Sequence, residues 1–193
     1  SDGETSTVLV SEASVDVDHT ERHSVISGAA TIEAPNGDWS FSFKAEDSEQ
    51  HGLLRVSVTV ADLVPSSIAR ISDDLALLGV FDTPVNGELA LDLSNGGELR
   101  SADLSLDVGS GFVRLPALMN TPFMLTSGRL ALKYDALSRR LDLAPSTLDW
   151  GGSHITLQGA MQSDPDEAGE PQWHFAIRSV GGAISAEEFD VAP

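Results

Sequence analysis

Five histidines are the residues of this chain best suited to acid–base or metal chemistry. They are His19, His23, His51, His154 and His174. His19 and His23 are four residues apart, but they fall in a segment that predicts a turn or strand, and no His-Glu-x-x-His helix motif occurs. Ser153 precedes His154 directly, yet neighbours on a strand point to opposite faces, so we do not expect the two side chains to meet. We therefore predict no catalytic residues and no enzyme activity.

Acidic residues offer one weak metal motif. Asp164, Asp166 and Gly169 match part of a calcium-binding loop. The fifth position is Ala168, however, and the twelfth is Phe175, where such a loop needs a bidentate Glu. Phosphate-binding glycine loops, dinucleotide fingerprints and nucleophile elbows do not occur in the sequence. We predict no metal site and no cofactor.

The charge balance excludes several classes of partner. The 193 residues carry a net charge of -19 and no cysteine. Nucleic-acid binding requires clustered Lys and Arg, so we exclude it, and direct docking on an anionic membrane surface is disfavoured for the same reason. No apolar run is long enough to span a membrane. Because the chain starts abruptly at Ser1 and stops at Pro193, we expect a soluble fragment of a longer protein.

Alternation of apolar and polar residues dominates the sequence. Apolar residues fall two apart in many short runs, such as Trp39 to Ala45, Leu54 to Val60 and Trp173 to Ile177. This period places one set of side chains on one face of a sheet and the polar set on the other, which is typical of antiparallel sheets. Glycine-rich turns separate the runs, for example at Asn95-Gly96-Gly97 and Gly151-Gly152. The fold class predicted is mostly β, with an antiparallel, twisted sheet of repeated hairpins that forms a groove or a half-open sandwich.

Three segments refine this prediction. A helical stripe at Ile68, Ile71, Leu75 and Leu78 predicts one helix near residues 66–79, capped by Ser66. Gly87 to Leu91 resembles Gly128 to Leu132, which indicates a repeat of about 41 residues. The acidic, Pro- and Gly-rich segment 163–171 predicts an exposed, mobile loop. We expect residues 1–193 to form a single β-rich module.

Several of these stretches together resemble a known family. They are Val60 to Pro65, Pro84 to Leu89, Gly109 to Pro116, Gly128 to Asp135 and Gly151 to Gly159. Taken together in chain order, these stretches are similar to the central region of AsmA-like bacterial envelope proteins. The resemblance is to the YhdP branch in particular, and TamB is a more distant relative. The resemblance is best between residues 25 and 162. It rests on strand-and-glycine patterns without any catalytic motif.

The resemblance implies a location and a role. Proteins of this family have an N-terminal transmembrane anchor in the inner membrane and a long periplasmic body with an apolar β groove. Their implied activity is the transport of phospholipid to the outer membrane without covalent chemistry. For this chain it implies a periplasmic segment whose partners are phospholipid and the rest of its own chain, including a membrane anchor outside residues 1–193.

The candidate site is therefore the apolar face of the sheet. We expect eight alternating residues to line a lipid path: Leu89, Leu91, Leu104, Leu106, Leu130, Leu132, Ile155 and Leu157. Two alternatives remain open at this point. The same residues fit a closed core between two sheets, or between sheet and helix. The chain also fits a periplasmic structural or interaction scaffold that binds no lipid, working through an edge strand or its acidic face.

Overall fold

A computed structural model describes residues 9–20, 23–34, 37–48, 52–69, 73–114, 121–165 and 171–183. Its elements, in chain order, are β1 (Leu9–Thr20), β2 (His23–Glu33), β3 (Trp39–Ser48), β4 (Leu53–Leu63), α1 (Pro65–Ile68), a 3₁₀ helix (Asp73–Val80), β5 (Phe81–Asp82), β6 (Val85–Ser94), β7 (Leu99–Val108), β8 (Gly111–Val113), β9 (Phe123–Leu125), β10 (Ser127–Asp135), β11 (Arg140–Trp150), β12 (Ser153–Pro165) and β13 (Pro171–Ala183). The predicted fold class, mostly β and antiparallel, is confirmed.

Ten of the strands form one antiparallel sheet in the order β1-β2-β3-β4-β6-β7-β10-β11-β12-β13. Neighbours in space are thus successive in the chain, except where the chain leaves the sheet between β4 and β6 and between β7 and β10. A tight turn at Gly151 and Gly152, with φ of 46° and 79°, connects β11 to β12. Such positive φ angles suit glycine, as the turn residues predicted. The repeat corresponds to two hairpins, β6–β7 and β10–β11, that lie side by side.

Registered residues run straight across this sheet. One row joins one residue from each of the ten strands, from Val17 on β1 to Phe175 on β13. In order it contains Val17, Ile26, Ala45, Val56, Leu91, Ala102, Tyr134, Leu141, Met161 and Phe175. Since registered residues share a face, this row lies wholly on the apolar side.

The predicted helix near residues 66–79 is divided in two. An α-helical turn covers Pro65–Ile68, and a 3₁₀ helix covers Asp73–Val80. Ser66 does not cap the helix: Val64 holds the N-cap position without a side-chain hydrogen bond, and the Ser66 hydroxyl donates to Asp82 Oδ1 at 3.2 Å. Leu77 is 80% exposed, while Leu75 and Leu78 are half-buried. Ile71 lies outside the described residues.

A second, three-stranded sheet of β5, β8 and β9 forms with the helical segment a small cap, residues 65–69, 73–84, 109–114 and 121–126. A hydrogen bond ties the cap to one end of the large sheet, since the Thr126 amide donates to the Asp149 carbonyl on β11 at 2.8 Å. Within the cap, Thr83 Oγ1 donates to the Gly109 carbonyl at 2.6 Å. Val113 and Leu125 of the cap are buried, as are Pro65 of the cap and Ile32 and Val85 of the large sheet.

Strand β11 is irregular at its middle. Its register shifts between Leu143 and Ser146 against β12, and the facing part of β10 shifts between Arg129 and Leu132. Pro145 lies within this interval and cannot donate to a ladder, so a regular central strand would be broken there. The Ser146 hydroxyl accepts from the Ala131 amide at 3.1 Å and donates to the Ala144 carbonyl at 2.8 Å. The bulge therefore keeps its backbone groups bonded through a side chain.

The predicted acidic loop is shorter than expected. Residues 163–165 belong to β12 and Pro171 begins β13. The remainder of the loop, residues 166–170, lies outside the described residues, as does His51.

Candidate functional site: the apolar face of the large sheet

The apolar face is the side of the ten-stranded sheet that carries the Val17 to Phe175 row. A second complete row lies beside it on the same face: Val15, Gly28, Phe43, Val58, Leu89, Leu104, Leu132, Leu143, Gly159 and Ile177. A third crosses seven strands: Ala13, Ala30, Phe41, Val60, Gly87, Leu106 and Leu130. The rows make one continuous apolar surface without a charged side chain.

All eight residues expected to line a lipid path lie on this face. Leu89, Leu104 and Leu132 are registered neighbours in one row, and Leu106 and Leu130 are neighbours in the next. Leu91 lies in the Val17 to Phe175 row, while Ile155 and Leu157 on β12 are registered with Leu148 and Ser146 on β11. The face is wider than the eight residues, since β2, β3, β4 and β13 contribute to the same rows. The same alternation of apolar and polar residues in the sequence could have predicted that these strands contribute to the face.

Exposure varies systematically across the apolar face. The eight central residues are all half-buried, and none falls in the buried class. At the edges the exposure is high: Val17 is 69% exposed on β1 and Phe175 is 76% exposed on β13. A second layer would bury central residues almost completely, as in a sandwich core. The half-buried values instead match side chains that are surrounded by neighbours within their own sheet.

The cap covers only one end of this face. Its main contact with the large sheet runs from β9 to β11, where the Phe123 and Trp150 rings lie 5.6 Å apart between centroids. Within the described part of the chain, the other extensive contacts of the ten strands are with their neighbours in the sheet. The expectation of a closed core between two sheets is therefore not met by the described residues.

Glycines on the apolar face let large side chains lie close to the sheet. An added Cβ at Gly28 would come within 2.6 Å of the Phe43 ring, and one at Gly87 within 2.4 Å of the Leu106 side chain. Each glycine thus creates room for the apolar side chain registered beside it. The large side chain of the registered residue lies over the glycine and fills the space that a Cβ would occupy, as aromatic side chains do beside strand glycines in other sheets.

The opposite face is polar and crossed by ion pairs. Arg55 Nε lies 2.8 Å from Asp92 Oδ1, Arg129 Nε lies 2.8 Å from Asp107 Oδ1, and Lys133 Nζ lies 3.1 Å from Asp103 Oδ1. Each pair joins residues on adjacent strands. Hydrogen bonding from Arg55, assisted by Ser101, lowers the pKa of Asp92. The charges are therefore arranged as cross-strand pairs on the solvated side.

One polar trio on this face has the geometry of a relay. His154 Nδ1 lies 2.6 Å from Asp149 Oδ1, and His154 Nε2 lies 3.3 Å from Thr156 Oγ1. Hydrogen bonds from His154 and Ser127 lower the pKa of Asp149. A hydroxyl, imidazole and carboxylate in this order is the arrangement of nucleophilic catalysis, but an oxyanion hole is also required. Because β12 is paired on both sides, its backbone amides serve the interstrand ladders, so we interpret the trio as a cross-strand polar network.

Ser153, the neighbour of His154, and the histidines on β1 and β2 lie apart from this trio. Ser153 is 2% exposed and is registered with Trp150, whereas His154 is registered with Asp149 on the opposite face. His19 Nδ1 lies 2.8 Å from Ser24 Oγ, and His23 Nε2 lies 3.7 Å from Glu46 Oε1. In the described residues, no three His, Asp or Glu side chains converge as ligands for a metal ion.

Two concavities lie on the polar side rather than on the apolar face. The first, of about 300 Å³, is lined mainly by small residues of β1 to β4, such as Ser14, Ala29 and Ser42. The second, of about 470 Å³, is lined by residues of β11 to β13, including Arg140, Gln158 and Arg178. Each mixes polar residues with a few apolar ones, such as Phe41 in the first and Ile177 in the second, and neither presents rows of large apolar side chains. The apolar face is therefore the best candidate site.

Two further observations bear on the wider context. None of the helices in the described ranges has the length and apolar character needed to cross a membrane. Comparison of the chain with family models, with curated proteins and with solved structures found no match.

Proposed function

We propose that this chain is a non-catalytic segment of a periplasmic bridge protein anchored in the inner membrane. In this proposal its apolar face forms part of a path along which phospholipid moves to the outer membrane. The proposal combines the resemblance to AsmA-like proteins with the geometry of the sheet. Its partners are phospholipid and the rest of its own chain, and it requires no cofactor.

The observation that carries the proposal is an apolar face that spans ten strands and lacks a second layer over its described centre. At about 4.8 Å between strands, the face is about 43 Å wide. Burial of acyl chains against it gains about 0.8 kcal/mol per CH₂ removed from water. The complete rows carry neither ionised groups nor deep pockets. Acyl chains are therefore held by the apolar contact area as a whole and not by a polar group at one position, which suits movement along the face.

The acidic polar face supports the same role. Charged pairs such as Arg55 with Asp92 and Lys133 with Asp103 lie on the side away from the apolar rows. The net charge of -19 keeps that side hydrated. The sheet is thus amphipathic at the scale of the whole molecule, with one side suited to water and the other to hydrocarbon.

The test is native mass spectrometry of the purified chain together with lipid extraction from the same sample. We expect bound phospholipid, and we expect Leu106→Asp or Leu132→Asp to reduce it several-fold, because either change places a charge among the apolar rows. The matched control is Ser105→Asp, which adds the same charge to the same strand on the opposite face. Folding of each variant is checked by circular dichroism.

Equal lipid retention by Leu106→Asp and Ser105→Asp, with both folded, would contradict the proposal. A folded wild-type chain that neither co-purifies with phospholipid nor takes it up from vesicles would favour the alternative, a periplasmic β scaffold that binds no lipid. One specific observation supports that alternative. Both edge strands, β1 and β13, are exposed and have one partner strand each among the described residues.

A further inference from the structure

We infer that β1 of one copy of this chain pairs with β13 of a second copy, so that the ten-stranded sheet continues from copy to copy. The partner of each edge that is unpaired among the described residues is thus the opposite edge of an identical chain. This inference does not depend on the lipid path, since it rests on the edges and not on what the apolar face binds.

Both edges present unpaired backbone and exposed apolar side chains. In the described residues β1 is paired with β2 alone and β13 with β12 alone. Val15 and Val17 on β1 are 67% and 69% exposed, and Phe175 and Ile177 on β13 are 76% and 63% exposed. An edge of this kind is a template for a further strand.

The registers of the two edges match. Val17 and Phe175 are the two ends of one row, and Val15 and Ile177 are the two ends of the next. Because the sheet contains an even number of antiparallel strands, β1 and β13 run in opposite directions. A second copy placed in the same orientation would therefore bring its β1 antiparallel to β13 of the first. Val17 then lies opposite Phe175 and Val15 opposite Ile177, with both apolar faces on one side.

The charges of the two edges are complementary. The polar side of β1 carries Glu12, Asp16 and Asp18, whereas the described polar side of β13 carries Arg178 and His174 without a carboxylate. In the matched register His174 lies opposite Asp18, and Arg178 lies diagonally next to Asp16. Arg178 also faces the amide of Gln158 on its neighbouring strand. Pairing of β1 with another β1 would oppose carboxylates to each other, which favours the β1–β13 combination.

Such a contact is heterologous, since two different surfaces of the chain meet. Heterologous contacts that do not close into a ring continue into open chains of copies. We therefore expect oligomers whose size rises with concentration, rather than a dimer of fixed size.

The test uses the absence of native cysteine. Val15→Cys and Ile177→Cys are prepared as two separate variants, stripped of lipid and oxidised alone or as a mixture. Residues directly opposite on antiparallel strands lie about 4.5–5.5 Å apart between Cα atoms, within the range for a disulfide. We expect covalent dimers in the mixture and few in either variant alone. Mixing Val15→Cys with Phe175→Cys, which is two residues out of register, is the control and should give fewer dimers.

A charge exchange tests the complementarity. Arg178→Glu in the Ile177→Cys chain should lower the yield of dimer about threefold, and Asp16→Lys in the Val15→Cys chain should restore it. Equal cross-linking of each variant alone, or no cross-linking in the mixture, overturns the inference. A monomeric disulfide in a chain with both cysteines would show that the edges meet within one copy, and would overturn it as well.

Discussion

At the scale of single residues, the polar face is organised by cross-strand pairs rather than by isolated charges. Asp92 is the clearest case, because it accepts from both nitrogens of Arg55 that face it, at 2.8 and 3.2 Å, and from Ser101 at 3.0 Å. Its partners lie on the two strands that flank β6. One carboxylate thus links three neighbouring strands on the solvated side.

We expect Asp92→Asn to lower the free energy of unfolding at pH 7 by about 0.5 kcal/mol, a modest value because Arg55 is largely exposed. The pKa of Asp92 is lowered in the folded chain, so its contribution is present above the unfolded value of about 3.9 and is lost as the pH falls through the folded pKa. Urea unfolding of both proteins between pH 7 and pH 3 measures this difference.

The control for this prediction is Glu88→Gln, which removes one negative charge from the same strand and corrects for the repulsion within this acidic chain. The difference between wild type and Asp92→Asn should shrink toward zero at the acid end. A difference that stays constant with pH would show that the ion pair is not its source.

At the scale of elements, we expect the stability of the sheet to depend most on the hydrogen bonds at the bulge in β11. Ser146 is 5% exposed, and its hydroxyl serves both the Ala131 amide and the Ala144 carbonyl. The backbone there cannot form a regular ladder, since Pro145 interrupts it. A side chain therefore performs the bonding that the backbone performs elsewhere.

We expect Ser146→Ala to reduce the free energy of unfolding by about 1–3 kcal/mol, because the Ala131 amide would be left without its partner. Ser105→Ala, at an exposed position on β7, should change it by less than about 0.5 kcal/mol. Chemical denaturation of the two variants makes the comparison. Equal effects would mean that water replaces the Ser146 hydroxyl.

Elements could be predicted from the sequence where one local signal dominated. Alternation and glycine turns placed the long strands correctly, because each signal acts within a few residues. The prediction of one helix is wrong. The apolar stripe at Ile68, Leu75 and Leu78 predicts a continuous helix, whereas the chain forms α1 and a separate 3₁₀ helix. Strands β5, β8 and β9 contain two or three residues each and are too short to show a period.

At the scale of the whole molecule, the described chain has one extended sheet and a small cap. Apart from Pro65, the buried apolar side chains within the described ranges are Ile32, Val85, Val113 and Leu125, which are 4–8% exposed. Stability therefore comes mainly from half-buried rows and interstrand hydrogen bonds. Less apolar surface is removed from water on folding than in a domain with a closed core.

We expect this to lower the heat capacity change of unfolding. A compact domain of 193 residues would show about 2.3–2.9 kcal/mol/K, and we expect a value clearly below that range. Differential scanning calorimetry of the lipid-free chain measures it. A value within the range would indicate that the apolar face is covered in solution, by a second copy or by another part of the chain.

For the candidate site, the sequence predicts which residues share a face but not whether that face is covered. Alternation shows that Leu89, Leu104 and Leu132 share a face, since this depends on the period of a strand. Whether another layer covers that face depends on contacts between residues far apart in sequence, which no local pattern encodes. The alternation of these residues is therefore compatible with both a closed core and an open groove.

The order of strands also has a consequence for how such a sheet lengthens in evolution. Because neighbours in space follow one another in the chain, duplication of a hairpin such as β6–β7 adds two strands and returns the chain to the same side of the sheet. Strand direction and face are preserved for everything downstream, whereas duplication of one strand would reverse them. Growth in steps of two strands thus leaves the existing pairings intact, and the likeness between Gly87 to Leu91 and Gly128 to Leu132 is what one such step would leave behind.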